Sequence, residues 1–202
     1  MAKVVRKSKE ERENEICSAA KYMFLEKGFK QTTMEDVIEK TTLSKGGVYR
    51  YFKSTREIMI YWLSNFAENE LKKVQKVTET SEKILTRDKY KEAIVGHFLC
   101  EVLDFSDDRK LLKMFMSEIA NDNEFKEIYL KMEGKQIKLF FEILGIDERF
   151  ENQGVFLFRA HFGFSHMSHL FEFRPLYEDN IDLLRKVYNL LYDDLYDKCM
   201  GE

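Results

Sequence analysis

Proline is almost absent: the 202 residues contain one, Pro175, so nearly nothing in the chain forbids long helices. Glycine is sparse at nine residues, which excludes a glycine- and proline-rich disordered or collagen-like chain and disfavours a sheet fold built on many tight turns. The three cysteines, Cys17, Cys100 and Cys199, are far apart and form no CxxC pair, so neither a disulfide framework nor a structural zinc site is indicated; they read as reduced, buried thiols. No uncharged apolar stretch of about 18 residues occurs. No basic start followed by an apolar run precedes the rest of the sequence either, so no membrane partner is expected and the cytoplasm is the expected compartment. GxSxG, P-loop and dinucleotide fingerprints are missing, as is a paired-carboxylate metal motif. The chain is therefore not expected to be an enzyme, and no catalytic residue, metal or cofactor is assigned.

What is present is a helical composition, 44% hydrophobic and 34% charged, with a net charge of -3 that hides an asymmetry. Residues 1–56 carry 13 Lys and Arg against 8 Asp and Glu, whereas the rest carry 20 against 28. A basic front part before an acidic remainder suggests a module for a polyanion joined to one with another task.

Ile16, Ala19, Ala20, Met23 and Phe24 recur at helical spacing up to a glycine stop at Gly28. Thr32 and Thr33, each followed three residues later by Glu35 or Asp36, form a capping-box pattern that opens a short second helix through Val37 and Ile38. Thr41-Thr42-Leu43 is a turn, and Ser44 is an N-cap for a third helix ending at Lys53, with Val48 and Phe52 on its inner face. Ser54 to Glu57 is a further capping box, opening a long helix to about Val77. A polar connector over 78–88, helices at roughly 89–105, 108–121, 123–145 and 149–173, a stop at Pro175, and a last helix over about 176–199 complete the reading.

Two short helices joined by a tight turn behind a basic arm have the layout of a helix-turn-helix DNA reader. Gly28-Phe29 with Thr32-Thr33, followed by Leu43-Ser44-Lys45-Gly46-Gly47-Val48-Tyr49-Arg50-Tyr51-Phe52, resembles the N-terminal domain of the tetracycline-repressor-like (TetR) family of bacterial transcription regulators over about residues 9–60. The resemblance implies an all-α fold. A three-helix DNA-binding domain, 1–56, would precede a helical-bundle effector-binding and dimerisation domain, 57–202, linked by a helix over about 55–77. It also implies a double-stranded DNA operator, a homodimer, and repression relieved by a small-molecule effector. Two departures stand out: the family's Ala-Gly-Val turn is Thr41-Thr42-Leu43 here, and a lysine common at the position of Thr55 is missing, with Lys53 and Arg56 near enough to replace its charge.

In physical terms Lys45 is a candidate for phosphate or a guanine edge, while Tyr49, Tyr51 and Thr33 are hydroxyl donors to phosphate. Ser44 caps the reading helix beside a phosphate-attracting N-terminus. Gly46 and Gly47 let the backbone come close to the bases, and Lys53 adds charge.

In the second part, residues 155–171 are apolar on nearly every side, the mark of a helix buried between two partners. The resemblance supplies them: a ligand core, and a dimer mate packed through the last two helices. Phe98, Met114, Phe158, His161, Phe162 and His166 are candidate effector-pocket residues, a soft lining suited to a hydrophobic or aromatic molecule. His166 and His169 have a spacing that would suit a metal, but hydrogen-bonded histidines at a helix interface are the favoured reading. The rival to the whole account is a helical ligand-binding or interaction protein whose DNA head no longer functions.

Overall fold

The computed structural model describes residues 7–82, 87–119, 121–144 and 148–200. Among them are ten α-helices, a 3-10 turn at Glu148–Phe150, and no strand. The head comprises α1 (Lys9–Lys27), α2 (Met34–Glu39) and α3 (Lys45–Tyr49). The remaining helices are α4 (Thr55–Glu82), α5 (Arg87–Val102), α6 (Asp107–Ile119), α7 (Asn123–Leu144), α8 (Glu151–Leu170), α9 (Arg174–Asp179) and α10 (Ile181–Met200).

The caps explain the head's boundaries. Ser8 and Glu11 close a capping box on α1, and at its other end Gly28, at φ 89°, adopts a backbone that a side chain would strain. Thr32 Oγ1 then donates to the carbonyl of Gly28 at 2.8 Å, satisfying an acceptor at the helix end. Thr33 and Asp36 form the second box, as the sequence spacing predicts.

Two apolar clusters hold the protein together. The first joins Ile16, Ala20 and Phe24 of α1, Val37 of α2, Val48 of α3 and Met59 of α4 to Leu111 and Phe115 of α6 and Phe125 of α7. Phe125 packs against both Phe29 and Phe115, at 5.8 and 5.0 Å between ring centroids. The head is thus fused to the bundle through shared apolar packing that runs straight across the expected boundary at residue 56. The second cluster lies farther from the head, where α5, α7, α8 and α10 bring together Val95, Phe98, Phe140, Leu157, Leu184 and Tyr188.

Several expectations need correcting. The third helix is five residues long and ends at Tyr49, not Lys53; residues 50–52 continue as turns that bond back to Gly46 and Val48. Thr78–Glu82 of the expected connector belong to α4, because nothing there breaks a helix; residues 83–86 lie outside the described part. Pro175 starts a helix rather than stopping one: it lies in the first turn of α9, where the missing N–H has no helical acceptor to lose. The break before it falls at Glu172, whose φ is 55°, and the last expected helix is two, α9 and α10. Cys17 is buried, and burial pushes its thiol up to about 12, but Cys100 is exposed on the outer side of α5. The side chains of Cys199 and His169 lie outside the described residues, so their expected roles have no structural counterpart here.

Candidate nucleic-acid interface and effector cavity

Ser44 sets the start of α3: its Oγ accepts the amide of Gly47 at 3.2 Å. Val48 is fully buried and pins the helix to the head core, so the opposite side of this short helix faces outward. The two glycines differ. A Cβ at Gly46 would meet nothing within 4 Å, whereas at Gly47 it would lie 3.3 Å from Ser44 Oγ and 3.4 Å from Leu43 Cβ. Gly47 is therefore explained by the turn's own packing, and Gly46 is the place where backbone stands open to an approaching surface.

Lys45 is exposed beside that opening, with Nζ 3.0 Å from Glu35 Oε1 and 5.9 Å from the Tyr49 ring centroid. The Glu35 carboxylate raises the lysine's pKa, so Lys45 is cationic, and an exposed pair of this kind gives way readily to a stronger anion. Tyr49 and Tyr51 are half-buried, their rings resting on the head core. Thr33 is committed locally: Oγ1 accepts the Asp36 amide at 3.2 Å and donates to the Asp36 carboxylate at 2.8 Å. Lys53 is exposed, its ammonium donating to the Tyr49 carbonyl and its amide to Glu57 at 2.7 Å. Glu57 in turn donates its amide to Ser54 Oγ at 3.2 Å, as the box expected over Ser54 to Glu57 requires, but its carboxylate accepts from the amide of Lys53 and not that of Ser54.

The unusual turn has its own closure. Thr42 donates its amide to Glu15 Oε1 at 3.1 Å and its hydroxyl to the same oxygen, and Thr41 Oγ1 donates to the Ile38 carbonyl at 3.0 Å. Thr42 has no positive φ, so a glycine is not required there. Glu15, held by Lys7 and Thr42, has its carboxyl drawn down to about 2. Arg56 does not replace the missing charge at Thr55: it points to the bundle, bonding Asp122 and Glu124 and lying 4.0 Å over the Phe125 ring.

In the bundle, α4 to α8 enclose a cavity of about 100 Å³. Of the sequence-derived candidates, Phe98, Phe158, His161 and Phe162 line it. His166 lies next to it, stacked on Phe162 at 5.7 Å, and lines a smaller neighbouring recess. Met114 is elsewhere, packed on the cluster beneath the head.

One end of the cavity is polar, and most of that end escapes sequence reading. Arg109 Nη2 donates to Glu70 Oε2 at 2.6 Å and lies 3.3 Å from Glu101 Oε1. His161 Nε2 is 2.7 Å from Glu101 Oε2, while Nδ1 is 2.9 Å from the Tyr188 hydroxyl. Burial alone would push the Glu101 carboxyl up, but the hydrogen bond from His161 and the charge of Arg109 hold it well below the usual carboxylate range. The Nε2–H of His161 therefore donates to an ionised Glu101, and its Nδ1 accepts from Tyr188. Burial likewise pushes the Tyr188 phenol up, keeping it a donor. Glu70 moves the other way, raised by burial and by its proximity to Glu101 against the opposing pull of Arg109. Arg109, in the stretch Asp107-Asp108-Arg109-Lys110, reads as part of a solvated face; only the fold shows it buried.

The described residues thus form a capped helix-turn-helix head fused to a helical bundle that surrounds a cavity. Residues 16–61 match the family described as "Bacterial regulatory proteins, tetR family". Among curated relatives, the uncharacterized HTH-type transcriptional regulator YfiR of Bacillus subtilis is 43% identical over 77 residues, 38% of either chain. YerO of the same organism is 23% identical over 132 residues, covering 64% of this chain and 44% of its own. The matched segments thus span well under two thirds of these relatives' lengths. In fold, Salmonella enterica GusR aligns over 95% of this chain and 98% of its own with a TM-score of 0.71 at 14% identity. Reduced Escherichia coli NemR aligns over 91% and 96% with a TM-score of 0.65 at 13% identity. Among the described residues no helix is long and apolar enough to cross a membrane.

Proposed function

We propose that this protein is a sequence-specific DNA-binding transcriptional regulator, acting as a homodimeric repressor that a small-molecule effector releases from its operator. Lys45, Gly46 and Tyr49 of α3 are the central DNA contacts, with Tyr51 and Lys53 on flanking phosphates. Thr33, Ser44 and Gly47 contribute backbone geometry more than free side-chain groups. The observation that carries the reading is the open backbone at Gly46 between an exposed lysine and a tyrosine, on a helix fixed from behind by Val48. The rival with a non-functional head loses its motive, since the turn that departs from the family pattern is closed by bonds of its own.

Dimerisation through α8 and α10 is supported by apolar side chains left outward in the single chain. Phe156 and Met167 are exposed three turns apart on α8, and Leu183 and Leu190, at 60% and 70% exposure, lie two turns apart on α10. Such a surface calls for a partner. The effector site is the cavity, because α6 touches both ends of the molecule: Arg109 and Leu112 line the cavity, while Leu111 and Phe115 pack beneath the head. A ligand that shifts α6 therefore changes the seating of the head. The test is fluorescence anisotropy on a duplex from upstream of the protein's own coding sequence, together with sedimentation: specific binding by a dimer is expected, and monomeric protein with no preference over scrambled DNA would overturn the reading.

A further inference from the structure

We infer that the cavity takes a small lipophilic cation, a one-ring apolar body bearing a protonated amine or amidine, with the cationic group seated between Glu70 and Glu101. This rests on the reading of the cavity as the effector site. Three observations carry it: the hydrogen-bond balance of the polar end, one orphaned nitrogen, and the walls.

Among the described residues, Arg109, Lys73 and His161 each already meet a carboxylate. Arg109 serves Glu70 and Glu101 through Nη2, and its Nε lies 3.4 Å from Asp104. Lys73 reaches Glu70 Oε1 at 2.6 Å from the solvent side. His161 donates to Glu101. An anion in the cavity would lie against both Glu70 and Glu101, whose carboxylates these groups already serve. Carboxylate oxygens, in contrast, have lone pairs to spare and accept further donors.

His97 supplies the second observation. Its Nε2 is buried with no hydrogen-bond partner among the described residues, 3.4 Å from Glu101 Oε1. A buried polar atom without a partner is costly. An N–H donor entering beside Glu101 is accepted by the carboxylate and, with His97 in its Nδ1–H tautomer, by this nitrogen as well.

The rest of the wall is apolar and aromatic, with Phe66, Phe98, Phe140, Phe158 and Phe162 contributing rings. Aromatic faces attract a cation and exclude the many hydroxyls of a sugar. At about 100 Å³ the space suits a single ring rather than a fused polycycle.

The test uses full-length protein and three near-isosteric probes, benzylamine, benzyl alcohol and benzoate, titrated calorimetrically. Benzylamine is expected to bind about tenfold or more tightly than the alcohol, a charge-assisted contact against a neutral one, with benzoate weakest. Glu70→Gln should cost the amine about tenfold while leaving the alcohol within about twofold. Equal or tighter binding of the alcohol or benzoate overturns the inference, and the order in the wild-type protein decides this even if the variant fails to fold. If the alcohol binds best and also releases DNA, the effector reading stands and only the cation assignment falls. If no probe of any charge binds, the cavity falls as an effector site and this inference falls with it.

Discussion

Arg56, in the first turn of α4, holds Asp122, at the turn between α6 and α7, through an Nη2 contact of 2.8 Å. A second contact of 2.8 Å to Glu124 and the Phe125 ring beneath its guanidinium complete a clamp between the head's exit and the bundle. The carboxyl of Asp122 is drawn far below its ordinary value by Arg56, so this contribution to stability is present above the unfolded carboxylate value of about 4 and disappears as pH falls below it.

Arg56→Ala should therefore leave operator affinity within about threefold, since the side chain faces away from α3, while lowering the melting temperature by a few degrees and weakening effector-driven release. Thermal melts and anisotropy with and without effector check this. A large loss of DNA affinity with release intact would return Arg56 to the DNA side.

The glycine pair separates turn packing from DNA approach. Gly46→Ala places a methyl in open space, so stability should hold or rise by up to about 1 kcal/mol, while DNA affinity falls about tenfold or more. Gly47→Ala forces Ser44 or Leu43 to give by a few tenths of an ångström and should cost about 0.5–1 kcal/mol in folding. Urea denaturation and anisotropy on both variants distinguish the two roles.

Glu15 ties α1 to the Thr42 turn, and its carboxyl is lowered to about 2 in the folded protein. A depressed folded value means that the stability it provides is complete above about 4 and is lost progressively as pH falls towards 2. Glu15→Gln should shallow the pH dependence of the melting temperature in that window, as calorimetry would show, and should loosen the turn that aims α3.

Leu190→Glu places a charge on the outward apolar row of α10, where Leu190 is 70% exposed. If α8 and α10 form the dimer face, sedimentation should show monomer at micromolar concentrations where the wild type is dimeric, because an unpaired charge buried at an interface is costly. Circular dichroism should be unchanged, since nothing in the chain's own core is touched.

The head was legible because each of its features is local: a capping box spans four residues, and Val48 announces itself by periodicity alone. The long helices were legible in number but not in their ends, since polar residues such as Thr78 and Glu79 sit comfortably on a helix and Pro175 can begin one as well as stop one. The polar end of the cavity was not legible. His161 stood out on an apolar stripe, but its partners Glu101 and Tyr188 are 60 and 27 residues away, and Arg109 and Glu70 meet across 39. Charged residues pairing over such distances carry no sequence signature; burial creates their significance. The same holds for Arg56, whose position suggests DNA and whose partners lie in the bundle.

The most direct test of the DNA-reading head is the salt dependence of binding to the protein's own upstream DNA, measured by anisotropy for the wild type, Lys45→Ala and Tyr49→Ala. The account predicts specific binding by the wild type with log K falling linearly against log[salt]; Lys45→Ala binds more weakly with a slope smaller in magnitude by about 1 per protomer, and Tyr49→Ala binds more weakly as well. Both variants should melt within a few degrees of the wild type. Wild-type affinity and slope in both variants would contradict the account.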